Sequence, residues 1–161
     1  MTHRRKGWLM HRFTVWAPSA HDVRVAVRLP GADDVTHVPM EQARSGWWGA
    51  DVDGAGHGTD YAFHLDGGPA RPDPRSPWQP HGVHEASRVF DAGLFEWSDG
   101  GWRGRDVRGS VIYELHIGTF TDAGTFDAAQ ERLDHLVSLG VDMVEVMPVA
   151  AFPGRWGWGY D

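Results

Sequence analysis

The 161 residues carry a formal net charge of −7, with 41% hydrophobic and 23% charged residues, a globular balance that excludes an intrinsically disordered chain. The acidic balance gives a nucleic-acid partner no electrostatic support, and the one basic cluster, His3-Arg4-Arg5-Lys6, is a short N-terminal tail. The absence of cysteine excludes disulfides, zinc–thiolate sites and a thiol nucleophile, and no apolar run reaches signal-peptide or membrane-span length, so a cytoplasmic protein with no membrane partner is expected.

The first hundred residues read as short strands. Arg12 to Ala17 alternates and stops at Pro18. Asp22 to Leu29 alternates with Val23, Val25, Val27 and Leu29 on one side and Asp22, Arg24 and Arg28 on the other, the turn Ala17-Pro18-Ser19-Ala20 joining the two. Further runs at Val35–Met40, Trp47–Val52 and Asp60–Leu65 are each bounded by Gly, Pro or Asp. Strands of period two at roughly ten-residue spacing predict an antiparallel sandwich of immunoglobulin-like type.

Between Gly67 and Pro80 five prolines fix the backbone and remove donors, which predicts an ordered surface crossing or a linker and not a sheet strand. His81 and His84 have metal-ligand spacing but neither a third ligand nor a helix to face them together, so no metal is expected. Ser87 to Phe90 reads as a returning strand, and Glu96 to Arg108 as a polar linker.

The last fifty residues change character. Ser110 to Gly118 and Val141 to Pro148 read as near-continuously apolar strands, and Thr125 to Leu139 as one helix between them. Phe126, Ala129, Leu133, Leu136 and Val137 form its apolar stripe, Thr125 its N-cap and Gly140 its C′ residue; Asp127 in the first turn and Arg132 and His135 toward the end suit the dipole. A strand–helix–strand unit of this kind belongs to a parallel sheet covered on both faces, cover that one unit does not supply. The chain therefore reads as the opening of a larger α/β domain. On the first strand Tyr113, Leu115 and Ile117 share one face and Glu114 and His116 the other, a spacing compatible with an acid/base pair or with simple hydrogen bonding inside the fold.

Nine tryptophans accompany 21 glycines, as in Gly46-Trp47-Trp48-Gly49 and Gly154-Arg155-Trp156-Gly157-Trp158-Gly159. Each ring either fills a core or presents a flat apolar face, with a polar handle, to a ligand such as a sugar. In the loop from Pro148 to Asp161 three aromatics stand between glycines beyond a strand's C-terminal end, where parallel barrels place their sites, and a ligand-stacking role is favoured.

Tyr113-Glu114-Leu115-His116-Ile117-Gly118-Thr119-Phe120, Gly124-Thr125-Phe126-Asp127-Ala128-Ala129, Leu133-Asp134-His135-Leu136 and the run from Val144 to Gly154 resemble the malto-oligosyltrehalose trehalohydrolases of glycoside hydrolase family 13, the α-amylase family. Asp73-Pro74-Arg75-Ser76-Pro77-Trp78-Gln79-Pro80-His81-Gly82-Val83-His84 is similar to that family's linker pattern, with Pro77-Trp78 in place of Arg-Phe, Glu85-Ala86 in place of Gly-Pro, and Trp156 where Arg is common. The resemblance implies an early-set sandwich of the carbohydrate-binding module 48 kind over residues 1–95, a linker over 96–109, and over 110–161 the first β-α-β unit of a truncated (β/α)8 barrel. It implies hydrolysis of the α-1,4 bond of maltooligosyl trehalose to release trehalose, with an α-glucan as partner and no cofactor. The family's nucleophilic Asp, acid/base Glu and second Asp follow the fourth, fifth and seventh strands, so no catalytic residue is assigned in this chain and the isolated chain is expected to be inactive. Tyr160 matches the aromatic that stacks beneath the sugar, with Trp158 and Asp161 lining the same rim. A branching or debranching relative and a non-catalytic glucan-binding module are the alternatives.

Overall fold

The structure, a computed structural model, describes residues 10–154. The chain divides between Phe95 and Glu96 into two compact units.

The first unit is built from β1 (Met10–Trp16), β2 (Val23–Arg28), β3 (Thr36–Pro39), β4 (Glu41–Gln42), β5 (Trp47–Asp53), β6 (Asp60–Leu65) and β7 (Ser87–Arg88). They form a three-stranded sheet in the order β1-β5-β4 and a four-stranded sheet in the order β3-β2-β6-β7, and every pairing is antiparallel. The expected sandwich is therefore present, and its alternation decides the faces. Val23, Val25 and Val27 are 1%, 0% and 2% exposed, and they pack with Phe13, Tyr61, Phe63 and Trp48 in one core. Burying a side chain of this size contributes about 1.5–3 kcal/mol each.

The turn after β1 does not close a hairpin. It carries the chain from one sheet to the other, because β1 pairs only with β5 whereas β2 lies between β3 and β6. Trp48 locks this crossing by donating its indole N–H to the Ala17 carbonyl at 3.0 Å. Leu29 falls beyond β2 and is 36% exposed, so the fourth member of the apolar alternation is not core.

The proline-rich segment is an ordered crossing. Phe63 and Arg71 exchange backbone hydrogen bonds at 2.8 Å, and the Asp73 amide donates to the Ser87 hydroxyl, also at 2.8 Å. Ser87 and Thr59 are fully buried, and the Thr59 hydroxyl accepts from the Gly56 amide, so neither polar group is left unpaired. The strand expected over 87–90 is shorter, Ser87–Arg88, but Val89 continues the pairing through its backbone bond to Thr59.

The second unit pairs β8 (Ile112–Leu115) with β9 (Met143–Val146) in parallel, joined by three short helices: α1 (Ile117–Phe120), α2 (Phe126–Gln130) and α3 (Leu133–Ser138). Two expectations need correction. The strand expected through Gly118 stops at Leu115, because His116 becomes the residue that opens α1 and Ile117 is buried from a helical turn. The helix expected over 125–139 is two helices: Arg132 adopts φ −102°, ψ 0° between them and its amide turns back to Ala129. Arg132 thus opens α3 and is not near the end of a longer helix.

The caps are where the sequence put them. The Thr125 hydroxyl accepts from the Ala128 amide at 3.3 Å, and Gly140 takes φ +79° beyond the last helix. Of the expected stripe only Ala129 and Leu136 are buried, at 6% and 3%, whereas Phe126, Leu133 and Val137 remain exposed. Among the described residues the core of this unit is four buried residues, Leu115, Ile117, Ala129 and Leu136. Among the described residues no helix is long and apolar enough to cross a membrane.

Candidate functional site

The parallel register of the second unit fixes where its loops emerge. Tyr113 lies beside Val144, Glu114 beside Glu145 and Leu115 beside Val146. Both strands therefore end at one edge, closed by the Met147 amide donating to the Leu115 carbonyl at 2.9 Å. At the opposite edge the Asp142 carboxylate accepts from the Val111 amide at 3.0 Å and from the Arg105 guanidinium. The amide bond, ahead of the charge of Arg105, holds that carboxyl below the usual carboxylate range.

Alternation then separates the two faces of the pair. Leu115 meets Ala129 and Leu136 on the helical side, where Phe126, Leu133, Val144 and Val146 line an apolar groove of about 320 Å³. Glu114 and Glu145 stand together on the other face. Glu114 does not pair with His116: the His116 ring reaches Thr119 Oγ1 at 3.1 Å through Nδ1 and takes no part in an acid/base couple with Glu114.

From this edge α1 leaves after β8, and the segment from Met147 to Gly154 leaves after β9. Trp158, Tyr160 and Asp161, the residues expected to meet a sugar, lie outside the described residues.

The first unit carries a second concavity on the outer face of its four-stranded sheet, about 460 Å³ in volume. Its floor is alanine (Ala26, Ala62, Ala70, Ala86), and the His37 and His64 rings stand 5.2 Å apart at its side. Asp60, 6% exposed, borders it and accepts from both Arg28 and Arg88. The Arg88 guanidinium also lies 5.2 Å from the centre of the Trp78 ring. His81 and His84 are exposed in a turn, and among the described residues no group of three or more His, Asp or Glu could hold a metal ion.

Residues 3–78 match the family described as carbohydrate-binding module 48, the isoamylase N-terminal domain. The chain is 51% identical over 152 residues to a malto-oligosyltrehalose trehalohydrolase from Arthrobacter ramosus, covering 93% of this chain and 26% of that protein. A 1,4-alpha-glucan branching enzyme from Leifsonia xyli is 36% identical over 159 residues, covering 92% of this chain and 22% of that protein. The crystal structure of a proposed α-amylase from Salmonella typhimurium superposes with a TM-score of 0.82 at 43% identity, covering 94% of this chain and 25% of that one. The chain spans about a quarter of the length of the curated relatives it matches. The first unit is thus similar to a carbohydrate-binding module, and the likeness to malto-oligosyltrehalose trehalohydrolases runs on through β8 and β9.

Proposed function

We propose that this chain is the N-terminal part of an enzyme that hydrolyses the α-1,4-glucosidic bond of maltooligosyl trehalose and releases trehalose. The observation that carries the reading is the identity to trehalohydrolases, 51% against 36% for the branching enzyme. The parallel β8–β9 pair supports it physically. Its helical-side groove, lined by Leu133, Val144 and Val146, suits a further helix, as the first two strands of a (β/α)8 barrel require. In this reading residues 1–95 are the module, 96–109 the linker and 110–161 the start of the catalytic barrel.

The barrel places its chemistry on loops at the strands' C-terminal edge, where the segment after β9 emerges. Trp158, Tyr160 and Asp161 line the sugar there. The Tyr160 ring stacks beneath the pyranose at the cleavage subsite and orients it, while carboxylates from later strands attack the anomeric carbon and protonate the leaving oxygen. None of those carboxylates belongs to these residues, and neither Glu114 nor Glu145 takes their role. The substrate is a cytoplasmic α-glucan, and the step needs no cofactor.

The test is trehalose release from maltooligosyl trehalose by the longer enzyme, beside branch transfer on amylose. Trehalose release without branch transfer is expected; branch transfer in its place overturns the reading. The 161 residues alone should release no trehalose.

A further inference from the structure

Ladder geometry decides which way each residue of β1 turns its backbone. The Ala17 amide donates to the Gly46 carbonyl at 2.9 Å, in register with the β1–β5 pairing, so Ala17 faces β5. The Ala43 amide donates to the Trp47 carbonyl at 2.7 Å, so Trp47 faces β4 and its neighbour Trp48 faces β1. Backbone groups alternate along an antiparallel strand. Val15, Phe13 and His11 therefore bond to β5. Trp16, Thr14, Arg12 and Met10 turn their N–H and C=O groups to the other edge, with which no strand among the described residues pairs.

Among the described residues β1 is the long edge of the two sheets. The edge strands β4 and β7 have two residues each, and β3 has four and closes on Pro39, whereas β1 runs for seven with neither Pro nor Lys. Shortness, proline and lysine are among the devices that keep sheet edges from pairing, and β1 has none of these three. Its one arginine is turned inward: Arg12 leans over Gly49 and holds Asp51 at 2.6 Å. At each end of the strand a large apolar side chain stands in water. Met10 is 62% exposed and Trp16 59%, the indole held by Nε1 donating to the Ser45 carbonyl at 2.9 Å.

This edge is complementary to itself. Laid antiparallel about Phe13, two copies place Met10 opposite Trp16 and Arg12 opposite Thr14, and the reverse. Every outward-turned residue then meets an outward-turned residue, which gives about eight backbone hydrogen bonds. No like charges stand opposite each other, Met10 covers Trp16 at both ends, and His11 meets Val15 on the inner side. Sliding the pair by two residues either sets Arg12 against Arg12 or leaves Met10 without a partner. We infer that the free edge of β1 is a self-association surface, on which a second copy of this chain pairs in this register and joins two three-stranded sheets into one. The pairing uses none of the rim residues and is independent of the activity proposed above.

The test is sedimentation equilibrium of the 161-residue chain over a roughly hundredfold range of micromolar concentration, in about 0.15 M salt to screen the repulsion between copies of net charge −7. A reversible dimer is expected. Thr14→Pro removes an amide that faces the free edge, so the fold should survive, as a thermal melt checks. The dimer should weaken about a hundredfold, because both copies lose a donor at the joint. Met10→Glu, an exposed change, should weaken it in the same direction. The chain has no cysteine, so the register is also open to cross-linking. Met10→Cys mixed with Trp16→Cys should give a disulfide-linked pair, whereas Met10→Cys alone, its thiols roughly 20 Å apart, should not. A monomer at every concentration, or association retained by folded Thr14→Pro and Met10→Glu chains, overturns the pairing. So does association abolished only by Leu133→Glu in the groove of the second unit, or equal cross-linking of Met10→Cys with itself and with Trp16→Cys.

Discussion

The Asp60 carboxylate accepts two hydrogen bonds from the Arg88 guanidinium, from Nε at 2.5 Å and from Nη2 at 3.0 Å, in a fork that ties β6 to β7. Arg28 adds a third bond from β2 at 2.6 Å. Asp60 is 6% exposed, so this anion exists inside the fold only because two cations face it. Asp60→Asn keeps the shape and removes the charge. It should destabilise the chain by about 3 kcal/mol, the low end for losing one partner of a buried pair, since Arg28 remains half in water. Urea denaturation measures this directly, and an unchanged midpoint would show the fork to be energetically idle.

The same carboxyl sets an acid limit. The Arg88 hydrogen bond, followed by that of Arg28 and by both charges, holds its pKa below the ordinary value despite the opposing effect of burial. The stabilisation is therefore fully present above the unfolded-state value of about 3.9 and is lost as pH falls through the lower folded-state value. Asp66, held low by the backbone amides of Asp22 and His21, acts in the same direction. The unfolding midpoint of the natural chain should fall steeply below about pH 4, and Asp60→Asn should flatten that fall.

Tyr61 sets the corresponding alkaline behaviour. Burial first, then the neighbouring Asp73 charge, pushes its hydroxyl well above the usual tyrosine value. Because the folded-state pKa is the higher one, its stabilisation is complete below about pH 10 and disappears as pH rises through the folded value. An ultraviolet titration of the folded chain should show one of the three tyrosines resisting ionisation. Tyr61→Phe should remove that late component and cost about 1 kcal/mol for the lost bond to Asp73. Full ionisation in the native chain near the ordinary value contradicts the burial of this group.

Two glycines with the same backbone conformation should respond differently to alanine. Gly46 has φ +81°, and a side chain there would lie 2.6 Å from Pro18 Cβ and 2.8 Å from Pro18 Cα, in the turn that switches sheets. Gly31 has φ +77° with open space around it. Gly31→Ala should cost about 1 kcal/mol, the backbone penalty alone, and Gly46→Ala clearly more because Pro18 backbone must move. Equal losses in thermal melts would mean that the turn absorbs the clash.

What the sequence made legible follows from what each residue needs locally. The alternation of Val23, Val25 and Val27, the Thr125 cap and the Gly140 stop are decided within a few residues, and all three stand in the structure. Trp47 and Trp48 show where that ends. Adjacent in the sequence, they point to opposite faces of β5, one toward Arg75 and one into the core, and only pairing with β1 settles which is which. The helical stripe misled in the other direction. Phe126, Leu133 and Val137 have the right period, yet no element of the described residues buries them. An apolar stripe reports what a residue packs against in the full architecture, and the rim residues Trp158, Tyr160 and Asp161 lie outside the described residues.

That imbalance makes a last prediction about local stability. Among the described residues the sandwich core gathers twelve buried side chains around Phe13, Val25 and Phe63, whereas the second unit closes on four. Opening free energies follow the apolar area that opening exposes, so the two units should not protect their amides equally. Hydrogen exchange should be slowest in β2 and β6 and markedly faster in β8 and β9, although the parallel pair makes regular backbone bonds. Leu136→Ala, which empties the most buried position of the small core, should accelerate exchange across β8, α2 and β9 and leave β2 and β6 unchanged, since the sandwich does not draw on that contact. In the longer enzyme the groove lined by Leu133, Val144 and Val146 is filled on the proposed reading, and β9 should gain protection there while β2 does not. Equal protection of β9 in the 161-residue chain and in the longer enzyme would mean that the groove has no occupant, and would remove the physical support for a barrel.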